Sequence, residues 1–213
     1  VSYESLFDMI VKKYKSIQEE LHLHVDLDEE FLKIRKIIQN DDSPDYLVSR
    51  GEYLTGKLLA EYLGAKFVDA ADVIMFHYDG TIDMKRTSEK LMQHVQGSEK
   101  ILIPGFYGAT PNGTIKVMSR GGSDITGAVL ANVVDADVYE NWTDVSGFMV
   151  VDPRIIPNPI SIPRITYSEL REMSYMGANV LHDDSVFPVR EKNIPINIRN
   201  TNEPDHPGTM IME

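Results

Sequence analysis

The sequence predicts an α/β fold with a mainly parallel sheet. Short segments rich in Val, Ile and Phe alternate with longer segments whose apolar residues recur every three or four positions, which is typical of strands followed by helices. Helices that alternate with strands usually cover the faces of a parallel sheet. The composition, 42% hydrophobic and 25% charged over 213 residues, is that of an ordinary globular protein.

Three helices are predicted before the first strand. Apolar residues recur at helical spacing over residues 1–23, 28–39 and 45–63, and Gly64 follows the third segment. A glycine at that position commonly ends a helix because it adopts the left-handed conformation easily. Residues 40–44 are rich in Asn, Asp, Ser and Pro and predict a loop. This N-terminal part therefore lacks the alternation of strands and helices that follows it.

The remaining elements follow that alternation. Strands are predicted where β-branched and aromatic residues cluster, over residues 66–74, 100–106, 114–118, 137–142 and 194–200. Helices are predicted where the spacing returns to three and four, over residues 85–95, 125–134 and 168–175.

Charge and composition exclude several function classes. The formal net charge is −12, whereas a sequence-independent nucleic-acid binder carries a basic surface, so no nucleic-acid partner is expected. The chain has no Cys, which excludes a disulfide scaffold, an iron–sulfur site and a cysteine nucleophile. No apolar run approaches the ~18 residues of a membrane span and no signal-peptide pattern is visible. We therefore expect a cytoplasmic protein without a membrane partner.

A glycine-rich loop precedes the helix predicted over residues 125–134. Ser-Arg-Gly-Gly-Ser-Asp at 119–124 joins a glycine pair, which lets a ligand approach the backbone, to a helix N-terminus, which favours anions. Arg120 adds a guanidinium fork that fits a carboxylate or phosphate. The alternative is structural, because Ser123 and Asp124 are of types that commonly cap helices. Arg120 and Asp124 on either side of the glycines favour the anion site.

Three further segments carry polar residues beside predicted elements. Pro-Gly-Phe-Tyr-Gly at 104–108 ends a predicted strand, where open α/β sheets bind ligands, although Pro-Asn-Gly at 111–113 predicts a β-hairpin there. Trp-Thr-Asp-Val-Ser-Gly at 142–147 fits either nucleotide binding or simple turn chemistry. Within the third helix, we expect Glu52 to be a buried carboxylate that binds a substrate ammonium or pairs with Arg50.

In their order along the chain, these segments resemble the aspartate kinases of the amino-acid kinase superfamily. The resemblance covers roughly residues 45–211. It is also carried by Ser-Arg-Gly-Glu at 49–52, Asp-Pro-Arg at 152–154, Gly-Ala-Asn-Val-Leu-His at 177–182, Ile-Pro-Ile-Asn-Ile-Arg-Asn-Thr at 194–201 and Pro-Gly-Thr at 207–209.

The resemblance implies a fold and an activity. The fold is a three-layer α/β/α sandwich with a mainly parallel central sheet. The activity is ATP-dependent phosphorylation of the L-aspartate β-carboxylate to 4-phospho-L-aspartate, the first step towards lysine, threonine and methionine. Residues 1–213 would form one catalytic domain, with 1–44 as a helical part of the substrate-side lobe and about 100–213 as the nucleotide-side lobe.

The resemblance also implies residue roles. Glu52 would bind the α-ammonium of aspartate, and Arg120 would clamp its α-carboxylate, with Gly121 and Ser123 beside it. Asp124 would organise the reacting groups around the transferred phosphoryl. Nucleotide-binding roles fall on Thr143, Asp144, Met149, Asp152, Arg154 and Asn179. ATP and Mg²⁺ are the implied cofactors, no residue is assigned to the metal, and the full-length protein is expected to be a homo-oligomer.

Two departures from the family pattern accompany the resemblance. The family has an N-terminal strand with Lys-Phe-Gly-Gly and C-terminal ACT domains, and this sequence contains neither, so we expect an N-terminally truncated catalytic domain. Asn179 and Asp183 replace an expected Lys and Pro, which removes a positive charge from the nucleotide site. Two alternatives stay open: a related acid kinase for glutamate or N-acetylglutamate, and a catalytically incompetent nucleotide-binding fragment.

Overall fold

The structure, a computed structural model, describes residues 2–40, 43–151, 155–157, 159–177, 181 and 183–213, without the side chains of 183–185. It divides into an N-terminal unit, Val1–Met118, and a C-terminal unit, Ser119–Glu213. Both units combine helices with parallel strand pairs, so the predicted α/β class is confirmed. No helix in the described ranges has both the length and the apolar character that crossing a membrane requires.

The N-terminal unit begins with the three predicted helices. They are α1 (Tyr3–Glu20), α2 (Asp28–Asn40) and α3 (Pro44–Leu63). The predicted glycine stop is confirmed, because Gly64 follows α3 with a φ of 62°. Phe7 and Phe31 pack edge to face, with ring centroids 6.4 Å apart, and thereby join α1 to α2.

Short strands complete this unit. The elements are β1 (Lys66–Phe67), α4 (Ala70–Val73), α5 (Met84–Val95), β2 (Ile101–Leu102), β3 (Tyr107–Ala109) and β4 (Ile115–Val117). β1 pairs with β2 in parallel, whereas β3 and β4 form an antiparallel hairpin, which confirms the hairpin predicted around residues 111–113. The strand predicted over 66–74 is wrong beyond Phe67, because the Asp69 carboxylate accepts from the Ala71 N–H at 3.0 Å and starts a helical turn.

The C-terminal unit is built around one four-stranded sheet. Its elements are α6 (Gly122–Val134), β5 (Tyr139–Thr143), β6 (Arg164–Thr166), α7 (Tyr167–Tyr175), α8 (Asp183–Glu191), β7 (Ile196–Asn200) and β8 (Thr209–Met212). The strand order is β5-β7-β8-β6. The pairs β5–β7 and β6–β8 are parallel, and β7–β8 is antiparallel.

Aliphatic side chains from the helices and the sheet form the core of this unit. Ile196 and Ile198 of β7 are fully buried, as is Ile211 of β8, so one face of the sheet is covered. Leu170 of α7 and Val189 of α8 are also fully buried in the same cluster. Ala128 and Ala131 of α6 belong to this cluster and Tyr139 of β5 packs against it, so the core holds the two elements that carry Ser123, Asp124 and Thr143.

Candidate functional site

The glycine loop forms the start of α6. Gly121 is the N-cap residue and adopts the left-handed conformation (φ 57°, ψ 22°), and no side chain caps the helix. The interpretation of Ser123 and Asp124 as capping residues is therefore wrong, because the helix begins at Gly122 and places both within its first turn. The first N–H groups of α6 have no side-chain acceptor in the described residues, and such groups readily bind anions.

Asp124 is held by the neighbouring strand. Its Oδ1 accepts a hydrogen bond of 2.8 Å from Nδ2 of Asn141, a nearly buried residue of β5. The same amide nitrogen lies 3.0 Å from the Tyr139 hydroxyl oxygen, and that hydroxyl donates to the Asp124 carbonyl at 3.3 Å. Within the residues described, the second carboxylate oxygen of Asp124 has no partner. The carboxylate is therefore oriented and keeps one oxygen available.

The Tyr139 ring needs the small residue that faces it on α6. A Cβ atom at Gly127 would lie 2.6 Å from the Tyr139 hydroxyl oxygen, so only glycine fits without displacement. Burial, followed by the nearby Asp124 carboxylate, raises the pKa of Tyr139 to about 12 despite the Asn141 contact. The phenol therefore stays protonated and can donate. Sequence reasoning missed Tyr139 and Asn141, although their alternation along β5 gives them the same face of the sheet.

Arg120 and Ser123 are exposed at the start of α6. Arg120 has no ion pair with any residue that the structure describes. Its guanidinium group is therefore free to bind a carboxylate or a phosphate at two points. Together with the uncapped N–H groups, it makes this end of α6 attractive to anions.

The polar turn after β5 is tied to the end of β7. The Thr143 carbonyl accepts from the Thr201 N–H at 2.8 Å and from the Thr201 hydroxyl at 3.0 Å. The Thr143 hydroxyl donates to Oδ1 of Asp144, which is exposed, at 3.3 Å. The structure thus brings Thr143 and Asp144 together, and both turn chemistry and ligand binding are compatible with this geometry.

The segment that follows is anchored by one threonine of β8. The Phe148 N–H donates to Oγ1 of Thr209 at 2.8 Å, and that hydroxyl donates to the Ile162 carbonyl at 2.6 Å. Gly147, with a φ of 89°, has no room for a Cβ against Thr209. Met149 forms an isolated antiparallel bridge with Ser161. The other predicted nucleotide-binding residues, Asp152, Arg154 and Asn179, lie outside the described residues.

On α3, Glu52 does not have the buried environment that was expected for it. Glu52 is exposed and Arg50 is only 5% exposed, so the expectation of a buried Glu52 carboxylate is wrong. The Arg50–Glu52 pair, which was one of the two alternatives for Glu52, is absent among the described contacts. The Arg50 guanidinium lies instead over the rings of Tyr46 and Tyr53, 4.3 Å from each centroid. An exposed Glu52 carboxylate remains compatible with binding an ammonium group.

The segment over residues 104–108 is packed rather than open. Tyr107 is fully buried and donates to Oδ1 of Asp69 at 2.7 Å, and its burial, followed by the Asp69 carboxylate, raises the pKa of Tyr107. A Cβ at Gly108 would lie 2.3 Å from the Ile74 carbonyl oxygen. Glycine is thus needed here for close packing of backbone in the N-terminal unit.

Comparisons with known proteins agree on one family. Residues 4–200 match the model of the amino acid kinase family. Aspartokinase 3 of Bacillus subtilis is 34% identical over 99% of this chain and 50% of its own length. The crystal structure of Clostridium acetobutylicum aspartate kinase superposes with a TM-score of 0.91 at 48% identity, covering 100% of this chain and 48% of that one.

A second solved relative carries ligands. Escherichia coli aspartokinase III, in complex with aspartate and ADP, superposes with a TM-score of 0.85 at 27% identity, covering 97% of this chain and 51% of that one. The chain thus spans about half the length of these relatives. Since the family model matches most of the sequence, the chain belongs to the amino acid kinase family.

Proposed function

We propose that the protein containing this chain transfers the γ-phosphoryl group of ATP to the β-carboxylate of L-aspartate, giving 4-phospho-L-aspartate and ADP. The observation that carries the proposal is the start of α6, where Arg120 has no ion pair in the described part, the first N–H groups are uncapped and Asp124 is oriented by Asn141. The similarity to aspartate kinases over the whole chain supports aspartate as the acceptor. The Escherichia coli relative binds aspartate and ADP, which supports the same pair of ligands here.

The two charged ends of the amino acid require opposite charges on the protein. Glu52 would attract the α-ammonium group, since its carboxylate is exposed and forms no ion pair with a described residue. Arg120 would bind the α-carboxylate at two points. The backbone at Gly121 and Ser123 would add hydrogen bonds to the same carboxylate, because the helix N-terminus favours an anion.

Phosphoryl transfer needs alignment and charge stabilisation more than covalent chemistry. An oxygen of the β-carboxylate attacks the γ-phosphorus, and the bond from that phosphorus to the β–γ bridging oxygen breaks. Asp124 would hold the reacting groups in line, because Asn141 fixes its orientation. Nucleotide contacts are proposed for Thr143, Asp144, Met149, Asp152, Arg154 and Asn179.

Mg²⁺ is proposed to accompany the nucleotide. The ion keeps several waters and needs few protein ligands when it bridges phosphates. Within the described part of the chain, no three acidic or histidine side chains lie close enough to hold a metal ion, so we name no protein ligand. We further propose that residues 1–213 are one catalytic domain, with 1–44 in a substrate-side lobe and about 100–213 in a nucleotide-side lobe, of a cytoplasmic homo-oligomer.

The proposal is tested by assaying the full protein with Mg-ATP and L-aspartate. We would measure ADP release and trap the acyl phosphate as its hydroxamate. Asp124→Asn is expected to lower kcat by about 100-fold or more, because the amide no longer supplies the carboxylate that is proposed to hold the reacting groups in line. Arg120→Ala is expected to raise KM for aspartate. Arg171 is an exposed arginine of the same unit, so Arg171→Ala serves as the matched control and should leave KM unchanged.

Two results would contradict this assignment. Turnover that does not require aspartate would show that aspartate is not the phosphoryl acceptor. Normal kinetics in both Asp124→Asn and Arg120→Ala would show that these two residues do not form the active site, although the chain would still belong to the same fold family.

A further inference from the structure

Away from the residues assigned above, the N-terminal unit has a cavity between its first three helices. Its volume is about 540 Å³, within the range of small-molecule sites. Most of its wall is apolar, with Phe7, Ile10, Ile34, Ile38, Leu47 and Leu54 among the lining residues. Two cationic side chains, Lys13 and Arg50, also line it.

Arg50 is a buried cation without a counter-ion in the described part of the chain. Its Nε contacts the Tyr46 carbonyl and the Ser49 hydroxyl at 3.3 and 3.2 Å, and its Nη2 contacts the same hydroxyl at 3.0 Å. A guanidinium group has five N–H donors. Of the residues described, none accepts from Nη1, and no carboxylate lies within ion-pair distance of Arg50. Burying a charge without an opposite charge is costly.

Aromatic rings stabilise this cation, but they give its Nη1 no acceptor. The guanidinium carbon lies 4.3 Å from the Tyr46 and Tyr53 ring centroids and 5.4 Å from that of Tyr107. Ring faces attract a cation, yet they accept no strong in-plane hydrogen bond. A carboxylate beside Arg50 would supply both the missing charge and the missing acceptors.

The wall of the cavity is held in place without a ligand. The Tyr14 hydroxyl of α1 donates to the Gly51 carbonyl of α3 at 2.9 Å and lies 3.1 Å from the Thr55 hydroxyl. Tyr14 and Gly51 both line the cavity. This bridge fixes α1 against α3 beside Arg50, so a ligand would enter a largely preformed site.

We propose that this cavity binds a small amphipathic monocarboxylate, with its carboxylate on Arg50 and an apolar body of about six to ten carbon atoms against the aliphatic wall. A neutral apolar molecule would offer no acceptor to Nη1 of Arg50 and no opposite charge. A phosphate or a dicarboxylate would bring a second charge against an apolar wall, which disfavours it. Lys13, which is exposed, adds a weaker attraction for the same anion.

The test compares octanoate with octanamide, which has the same chain without the charge. Binding to the intact protein is measured by calorimetry and by methyl spectra of labelled isoleucines. We expect octanoate to shift Ile10, Ile34 and Ile38 while Ile196 and Ile198 of the C-terminal unit stay unchanged. Octanamide is expected to bind about tenfold or more weakly, as a charged hydrogen bond would require.

Variants separate the charge from the cavity. Arg50→Met should weaken octanoate binding by about tenfold or more and leave octanamide binding unchanged. Lys36→Met, an exposed cation of α2, is the matched control and should bind as the parent does. Leu47→Trp fills the cavity, retains Arg50 and should abolish binding of both compounds.

Three outcomes would overturn the proposal. The first is equal binding of octanoate and octanamide, and the second is retention of octanoate binding in Leu47→Trp. The third is a set of isoleucine shifts that depend on protein concentration, because these would indicate that a second copy of the chain occupies the cavity. If Arg50→Met does not fold, the comparison of the two compounds on the parent protein and on Leu47→Trp decides alone.

Discussion

Asn141 connects the two elements that carry the candidate site of the C-terminal unit. Its amide nitrogen on β5 bonds to the Asp124 carboxylate on α6 and contacts the Tyr139 hydroxyl. An amide donates over the whole working pH range, so it orients a carboxylate without depending on protonation. We therefore assign to Asn141 a positioning role for Asp124 that its place in a strand does not reveal.

Replacing Asn141 by Leu removes this donor while keeping a similar side-chain size. If Asp124 acts on the transferred phosphoryl, kcat should fall by about 10- to 100-fold with little change in KM for aspartate, since misalignment acts mainly on the transition state. Steady-state kinetics with varied aspartate measure both constants. Asn132→Leu is the matched control, because Asn132 on α6 donates to the Pro188 carbonyl at 2.6 Å rather than to Asp124. An equal loss of kcat in both variants would assign Asn141 a purely structural role.

Gly127 is needed because Tyr139 occupies the space beside it. In Gly127→Ala, the new Cβ would lie 2.6 Å from the Tyr139 hydroxyl oxygen, and displacing the ring should destabilise the protein by about 1–3 kcal/mol. Gly51→Ala on α3 is the control, since nothing lies within 4 Å of the added atom. That variant should be neutral or slightly more stable, because alanine favours a helix. Urea unfolding of the two variants checks this difference, and equal midpoints would contradict it.

At the scale of elements, local residue preferences explain what the sequence could predict. The end of α3 was predictable because glycine adopts the left-handed conformation easily, and Gly64 ends the helix in that conformation. The strand predicted through residue 74 failed because a hydrogen bond from the Ala71 N–H to the Asp69 carboxylate starts a helical turn. The start of α6 was misplaced by three residues because Gly121 adopts a left-handed conformation that moves the cap upstream.

Three elements of the C-terminal unit, β6, α8 and β8, were not predicted. Strands β6 and β8 have only three and four residues. Strand β6 pairs with β8, and β8 also pairs with β7. Helix α8 contains Pro188, which interrupts a helical pattern in the sequence. The same limit applies to the candidate site: Arg120 and Asp124 stand in a recognisable motif, whereas Asn141 is related to Asp124 only through the packing of β5 on α6.

The contact between α2 and α3 should make stability depend on acid pH. Oε1 of Glu30 accepts from Nζ of Lys57 at 2.9 Å and from the Tyr53 hydroxyl at 3.0 Å. Burial raises the pKa of Glu30, but the hydrogen bonds from Lys57 and Tyr53 outweigh it and hold the pKa below the usual 4.5. A lowered carboxyl pKa stabilises the folded state above the unfolded pKa, and this contribution is lost as pH falls through the folded pKa.

Glu30→Gln should therefore flatten the acid side of the stability profile. Urea midpoints measured between about pH 6 and pH 3 should fall more steeply for the parent than for the variant, with the difference appearing below about pH 4.5. Glu29→Gln is the control, because Glu29 is 76% exposed and pairs only with Lys33 among the described residues. Parallel profiles for the parent and Glu30→Gln would contradict the role of this contact.

At the scale of the whole molecule, the net charge of −12 sets a requirement for any anionic substrate. Aspartate and ATP are both anions at neutral pH, so the average field of the protein repels them. Their binding must therefore depend on local positive groups. The start of α6, with Arg120 and the uncapped N–H groups, is such a place, so the proposed binding of these two anions is compatible with the negative net charge.

Ligand-linked stability tests the proposed substrate on the intact molecule and separates aspartate from N-acetylated acids. A ligand that binds only the folded state at 100 times its Kd adds about 2.7 kcal/mol to the free energy of unfolding. L-Aspartate with Mg-ADP should therefore raise Tm above the value with Mg-ADP alone, whereas N-acetyl-L-aspartate should not, because it lacks the ammonium group proposed to bind Glu52. Glu52→Gln should abolish the shift caused by aspartate while preserving that caused by Mg-ADP. A larger shift with N-acetyl-L-glutamate than with aspartate would instead favour a related acid kinase, since an acetylated nitrogen needs no carboxylate partner.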